Sequence, residues 1–231
     1  MAQTPNFYSK LITAGFQFQN VDGTNPRIMY QVAANSPGVR FHQINVSNNQ
    51  AATFDMHLYI GKPIWTTAAA TYGTVTLSGN TLQRTVGDWR TADKPAKARL
   101  LIAYPIKRLA AVGSNSAASL GNGAFYNIAS YNATGSQLLT TGNFTANDTL
   151  PDGTIIYECH KLFAPQVPSN AGINSSNQAT HFLRNDLMPA LDAAPGRYIT
   201  LGAGDVLIGA LSGGLTDGNQ IEVTLFGASY E

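Results

Sequence analysis

Alternation of apolar and polar residues is the main pattern along this chain. From Ala52 to Ile60, apolar side chains occupy every second position, with polar residues between them. A period of two is typical of a strand that buries one face. Ile44 and Val46 show the same alternation just upstream, and a short polar segment separates the two stretches. Residues 40–60 are therefore predicted to form a β-hairpin.

The C-terminal part predicts further strands joined by turns. Residues 198–201 and a stretch beginning at Val206 are predicted strands, with a glycine-rich turn between them. A Gly-rich polar loop, 212–219, precedes a last alternating strand at 220–226. We expect that strand to end at Gly227, because glycine weakens a strand interior.

The middle of the chain has a weaker pattern. Apolar runs predict strands at 74–77, 99–106 and 155–159. Stretches of small and polar residues predict loops at 114–123 and 165–179. Helical spacing predicts about two helical turns within 181–191, limited by a proline.

Many short strands with Gly and Asn turns and little helix predict an all-β fold, either a β-sandwich or a jelly-roll-like arrangement. We expect a single domain over residues 1–231. Residues of about 62–180 would form long insertions or a projecting lobe between core strands. The N-terminal segment 1–20 has two interpretations, the first strand of the sandwich and an arm that reaches a neighbouring subunit.

Composition excludes several classes of protein. Of 231 residues, 44% are hydrophobic and only 12% are charged, with a net charge of +1. This composition is not that of a disordered chain, and the small net charge argues against general nucleic-acid binding. No apolar run is long enough to span a membrane. The start lacks a signal-peptide pattern, so we expect synthesis in the cytoplasm. The basic stretch 94–99 with 107–108 is interpreted as a solvated face or a contact with an acidic subunit.

The sequence predicts no catalytic residues. Cys159 is the single cysteine and is interpreted as a buried small hydrophobe. His160 follows it within a predicted strand, where neighbours point to opposite faces. The two therefore should not form a nucleophile–base pair. Neither a nucleophile elbow nor a phosphate-binding glycine loop is present in the sequence.

Metal and cofactor binding are not expected either. His42 shares the predicted inward phase of Ile44, whereas His57 lies on the outward phase of its strand. The two imidazoles should therefore not chelate one ion. Asp55 shares a face with His57, and this pair is interpreted as two solvated side chains, with a weak cation contact as the alternative.

Four aromatic residues have two possible roles. Trp65, Trp89, Tyr126 and Tyr131 are expected to pack in the core. If they lie exposed in a groove, they could instead stack against sugars.

Three blocks of sequence resemble a family of tailed-bacteriophage virion proteins. The blocks are 4–7 with 22–24, then 41–48 with 51–54 and 58–61, and finally 185–191 with 198–205 and 223–227. The resemblance implies a β-sandwich on the outer surface of the virion, without enzymatic activity.

We therefore expect a non-enzymatic capsid decoration (cement) protein that stabilises the phage head by bridging capsomers. Its partners would be the major capsid protein or other virion proteins, with no nucleic acid and no membrane. Closed symmetry is the rule for homo-oligomers, and a trimer is the expected state. The alternative is a tail, neck or fibre component of the virion that contacts host surface glycans.

Overall fold

The strands form antiparallel sheets that account for most of the ordered structure. In a computed structural model, the described part of the chain comprises residues 8–66, 73–87, 89, 99–103, 125–144, 148–150, 154–172, 178–183 and 198–230. Strands account for 59% of the structure and helix for 3%, which confirms the predicted all-β, sandwich-like class. The strands are, in chain order, β1 (Tyr8–Gln19), β2 (Arg27–Gln31), β3 (Val39–Asn48), β4 (Phe54–Thr66), β5 (Val75–Ser78), β6 (Thr81–Arg84), β7 (Arg99–Ala103), β8 (Tyr126–Tyr131), β9 (Gln137–Thr140), β10 (Asp148–Thr149), β11 (Ile155–Phe163), β12 (Gln166–Val167), β13 (Thr180–His181), β14 (Ile199–Leu201), β15 (Val206–Leu211) and β16 (Gln220–Tyr230).

The chain forms two compact units. Unit 1 contains Met1–Ile60 and Lys161–Glu231, and unit 2 contains Gly61–His160. The chain therefore leaves unit 1 within β4 and returns to it within β11. Residues 161–180, part of the predicted insertion, belong to unit 1, where β12 pairs with the start of β4.

Two antiparallel sheets enclose the core of unit 1. Sheet A has the strand order β1-β16-β3-β13, and β14 also pairs with β3. In the second sheet, β4, β15 and β2 are neighbours. Side chains from both sheets form one hydrophobic cluster, as expected for a sandwich. Its most buried members include Phe18, Phe41, Ile44, Val46, Met56, Leu58, Leu207, Val223 and Leu225.

The predicted hairpin at 40–60 is wrong, although both of its strands are present. β3 pairs with β16 on one side and with β13 and β14 on the other. β4 lies in the second sheet, where it pairs with β12. Alternation identifies a strand but not its partner, because pairing depends on residues far away in the sequence. The segment between β3 and β4 therefore carries the chain from one sheet to the other.

A buried amide holds this crossing. Asn48 is fully buried, and its Nδ2 donates hydrogen bonds to the carbonyl oxygens of Ala52 at 2.8 Å and Pro168 at 2.9 Å. Its Oδ1 accepts a hydrogen bond from the Gln50 backbone N–H at 2.9 Å. One side chain thus shapes the crossing and ties it to the segment that follows β12. A buried polar group is tolerated here because its hydrogen bonds are made.

A β-bulge in β3 changes which residues face the core. Gln43 lies opposite Phe226, but the next pair joins Phe41 to Gly227, so β3 carries one extra residue. Such an insertion shifts the alternation by one position. Phe41 is consequently buried, whereas His42 is exposed. The predicted inward position of His42 is wrong for this reason.

The first strand is confirmed for most of its range, and the last strand runs longer than predicted. β1 pairs with β16 from Tyr8 to Gln19, which confirms the first-strand interpretation for that range. Residues 1–7 lie outside the described part of the chain. β16 continues beyond its predicted end to Tyr230, because its ladder with β1 extends past the glycine at 227.

Unit 2 has its own hydrophobic core. The neighbouring strands are β10, β5, β6, β9, β8, β7 and β11, in that order. The predicted strands at 74–77, 99–106 and 155–159 correspond to β5, β7 and β11. Its hydrophobic cluster includes Val75, Leu77, Leu82, Trp89, Tyr126, Leu138 and Ile156.

Other sequence predictions have mixed outcomes. The predicted loop 165–179 contains the two-residue strand β12, and the start of the predicted helix at 181 lies in β13, paired with β3. Residues 184–191 and the predicted loop 114–123 lie outside the described part of the chain.

Substituting Gly227 should destabilise the sandwich. A Cβ at this position would meet the Arg40 carbonyl oxygen and lie 2.8 Å from Phe41 Cδ1. We expect Gly227→Ala to lower the free energy of unfolding by about 1–3 kcal/mol, because backbone cannot move aside cheaply. Urea denaturation of dilute protein measures this. Gly15→Ala is the matched control, since nothing lies within 4 Å of its Cβ position, and an equal loss there would contradict the explanation.

Removing the Asn48 amide should also destabilise unit 1. Asn48→Ala leaves two carbonyl oxygens and one N–H without that partner, which costs about 2–4 kcal/mol in the free energy of unfolding. Denaturant unfolding of Asn48→Ala tests this expectation, and Asn45→Ala is the matched control. Asn45 is only half-buried and hydrogen bonds to Gln43 on the same strand, so we expect a loss of about 0.5 kcal/mol or less there.

Candidate functional site

The outer face of sheet A carries a chain of three hydrogen-bonded amides that ends on the Glu222 carboxylate. Gln19 Nε2 donates to Gln17 Oε1 at 3.1 Å, and Gln17 Nε2 donates to Gln220 Oε1. Gln220 Nε2 then donates to Glu222 Oε1 at 2.9 Å. The four side chains come together because Gln17 lies opposite Glu222 and Gln19 lies opposite Gln220 in the β1–β16 register. We name this set the amide ladder.

The rest of this face is also polar and mostly neutral. Gln43 Nε2 donates to Asn45 Oδ1 at 3.0 Å along β3. Ser47 on β3 lies opposite Glu222, Thr224 on β16 lies opposite Asn45, and both Ser47 and Thr224 are half-buried. Covering such a face costs less free energy than burying unpaired charges, because amides already bonded to each other need fewer new partners.

An arginine–tyrosine cluster lies on the same sheet. The Arg40 guanidinium carbon is 4.0 Å from the ring centroid of Tyr198 and 5.5 Å from that of Tyr230. Strand pairing positions these residues, since Arg40 of β3 lies opposite Thr200 of β14 and Ala228 of β16. Tyr198 remains 42% exposed. Arg and Tyr are enriched at the centres of protein–protein interfaces, so this cluster is a candidate contact point.

Two surface clefts flank β1. The larger, about 450 Å³, is lined by residues of β1 and β2, including Ile12, Ala14 and Tyr30. The smaller, about 380 Å³, is polar and includes Gln19, Asp217 and other residues near the end of the amide ladder. The larger cleft combines apolar side chains with a strand edge, which suits a protein partner better than a small polar ligand.

The Cys159 and His160 side chains do not come together. Cys159 is buried, and burial raises the pKa of its thiol well above its ordinary range. His160 is exposed, and its Nε2 lies 2.9 Å from Glu158 Oε1. The opposite orientation predicted from the strand is confirmed, and so is the burial of Cys159. A buried, protonated thiol is a poor nucleophile.

The histidines considered for metal binding lie apart. His42 is on β3 in sheet A, whereas His57 is on β4 in the second sheet. Asp55 is exposed on β4, and its backbone N–H donates to Ser212 Oγ at 2.9 Å. Among the described residues, no group of three or more His, Cys, Asp or Glu side chains is placed to hold a metal ion.

The aromatic residues considered for sugar binding are mainly in the core of unit 2. Trp89 and Tyr126 are buried, and the Arg84 guanidinium carbon lies 4.7 Å from the Trp89 ring centroid. Tyr126 packs against Phe144 with a centroid distance of 4.6 Å. Core packing is therefore confirmed for Trp89 and Tyr126. The Trp65 side chain and the basic stretch 94–99 with 107–108 lie outside what the structure describes, apart from the backbone of residue 99.

Sequence patterns did not reveal three features of the candidate contact face, namely Arg40, Tyr198 and the amide ladder. Arg40 and Tyr198 are far apart in sequence and become neighbours only through the β3–β14 ladder. The ladder glutamines are visible as outward positions of alternating strands, but their order across β1 and β16 depends on the register.

In the part of the chain described here, the structure contains no helix with the length and hydrophobicity that a membrane crossing requires. Comparison with protein-family models, curated proteins and solved structures found no match to this chain.

The raised pKa of Cys159 predicts a pH dependence of stability. In the unfolded chain the thiol ionises near its ordinary value of 9.0, whereas the buried thiol stays protonated to higher pH. The unfolded state therefore gains stability as pH rises above about 9, and the free energy of unfolding falls by up to about 1.4 kcal/mol per pH unit.

Comparison with Cys159→Ala isolates this effect from that of the tyrosines Tyr30 and Tyr131, whose pKa values burial also raises. Urea denaturation of both proteins at about pH 7.5 and about pH 10 gives the difference. We expect the stability advantage of the parent protein over the variant to shrink at the higher pH. A constant advantage would contradict the assignment.

Proposed function

We propose that this chain is a non-enzymatic structural protein of a tailed-bacteriophage virion and acts as a capsid decoration (cement) protein. The observation that carries the proposal is the outer face of sheet A, with its amide ladder and its Arg40–Tyr198–Tyr230 cluster. This face is mainly neutral, its amides bond to one another, and it has exposed aromatic surface at one end. Such a surface suits a permanent contact with other subunits.

The residues that carry the family resemblance support the sandwich that the resemblance implies. Asn48 in the second block shapes the crossing between sheets. Asp205 closes the β14–β15 turn, where its Oδ2 accepts a hydrogen bond from the Gly202 N–H at 2.8 Å. Gly227 in the last block lies opposite the bulge. These three residues shape the sandwich, which supports the proposal of a family that shares this scaffold.

The proposed mechanism is stabilisation by binding. A decoration protein that binds where capsomers meet has its full contact surface only in the assembled shell. Its binding free energy then stabilises the shell over separated capsomers by mass action. Because the proposed contact face is mainly neutral, we expect binding to particles to change little with salt concentration.

A cryo-electron microscopy reconstruction of the virus that encodes this chain tests the proposal directly. Density for the sandwich that repeats over the icosahedral shell would support decoration. Density confined to the portal, tail or fibres would overturn decoration and support the alternative of a tail, neck or fibre component. Absence from the particle would overturn both.

A particle-binding assay tests the contact face. We expect Tyr198→Ala to weaken binding to particles that lack the protein by about tenfold or more, as truncation of an interface tyrosine commonly does. Co-sedimentation with such particles measures the binding. Leu162→Ala is the matched control, because Leu162 is similarly exposed and apolar but lies on β11. Equal binding by Tyr198→Ala and the parent protein would exclude this face as the contact.

A further inference from the structure

The hydrogen-bonding direction of β1 follows from the ladders of sheet A. The Asn49 N–H donates to the Gln220 carbonyl at 3.2 Å across the β3–β16 ladder. In an antiparallel sheet, successive residues of a strand direct their backbone N–H and C=O groups to opposite neighbouring strands. Because Gln220 bonds to β3, Ile221 directs its backbone groups towards β1. Its partner there is Phe18. The even-numbered residues of β1 therefore bond to β16.

The odd-numbered residues of β1 direct their backbone groups away from β16. Leu11, Thr13, Gly15 and Gln17 thus form what we name the open edge. β1 is the outermost strand of sheet A among the described residues, and no described backbone group bonds to this edge. The edge ends at Gln19, whose N–H donates to Asp22 Oδ2 at 2.8 Å. At about 3.4 Å per residue, the open edge is roughly 20 Å long.

Among the described residues, the open edge has little of the usual protection of edge strands. Natural sheets protect such strands with proline, charged side chains or short length. β1 has twelve residues, contains no proline and carries a single charge, Lys10, near one end. Leu11 on this edge is 84% exposed. An edge of this kind favours pairing with another strand.

The side chains beside the open edge are apolar and only partly covered. Ile12, Ala14 and Phe16 pack against the core of unit 1 but remain half-buried. Ile12 and Ala14 also line the cleft of about 450 Å³, together with Tyr30 of β2. A strand paired to β1 would place its own inward side chains over this cleft.

We propose that a second copy of this chain pairs with the open edge through its own β1, antiparallel and about a two-fold axis. The same strand then supplies both the backbone partners and the apolar residues, Ile12 and Ala14, that cover the cleft of the other copy. Antiparallel pairing places the two Lys10 side chains at opposite ends, so like charges do not meet. The remaining side chains of the open edge are uncharged, which removes the repulsion that normally opposes such pairing.

The pairing makes sheet A continuous across two copies. An interface that uses the same strand of each copy is isologous and closes as a dimer. It therefore differs from the trimer expected at the outset. A single-strand contact is smaller than the about 1,200 Å² of a stable interface, so we expect dissociation in the micromolar range. The proposal concerns the isolated chain and does not depend on its place in a virion.

Sedimentation velocity of the full chain, at concentrations from about 1 to 200 μM, tests the pairing. We expect a reversible monomer–dimer equilibrium. The double variant Thr13→Lys, Gln17→Lys places like charges along both paired edges and should weaken dimerisation by about tenfold or more. The matched control Ser47→Lys, Thr224→Lys adds the same charge to the outer face of sheet A, on its inner strands, and should dimerise like the parent.

Amide hydrogen exchange identifies the surface. We expect the N–H groups of Leu11, Thr13, Gly15 and Gln17 to exchange about tenfold more slowly in concentrated than in dilute protein. A monomer at every concentration, a trimer, or a dimer unaffected by the double variant would each overturn the proposal. Protection of the open edge only in virus particles, with the free chain monomeric, would also overturn it, while leaving the proposed virion function intact.

Discussion

Asn48 connects the two sheets of unit 1, and the sandwich depends on the crossing that it shapes. Its amide bonds to three backbone groups, one of them at Pro168, more than a hundred residues away. Without these bonds the polar segment after β3 could form a tight turn, and β3 and β4 would then pair as a hairpin. The crossing instead sends β4 into the opposite sheet. Both alternating strands then supply their apolar faces to a single core.

The bulge opposite Gly227 is a second constraint, and it acts on the surface as well as the core. One extra residue in β3 turns Phe41 inwards and exposes His42. It also leaves Arg40 where Tyr198 and Tyr230 can stack against it. The same irregularity therefore completes the core and creates the arginine–tyrosine cluster. Glycine is required at 227 because a side chain would meet the backbone of β3.

The surface of unit 1 explains how a chain with few charges can be suited to assembly. Its polar groups on sheet A are largely amides and hydroxyls that bond to one another, so covering them costs little. The proposed virion contact uses this face, whereas the proposed self-pairing uses the open edge of β1. Gln17 belongs to both surfaces, since its side chain lies in the amide ladder and its backbone groups lie on the open edge.

The sequence by itself determined the all-β class, most strand positions and the burial of residues such as Ile44 and Met56. These follow from alternation, which each strand displays locally. It did not determine that β3 pairs with β16 rather than β4, nor that the phase changes at His42. Strand pairing and bulges depend on partners distant in sequence, and alternation is the same whichever sheet a strand joins. The amide ladder, the arginine–tyrosine cluster and the open edge exist only because tertiary pairing brings those strands into register.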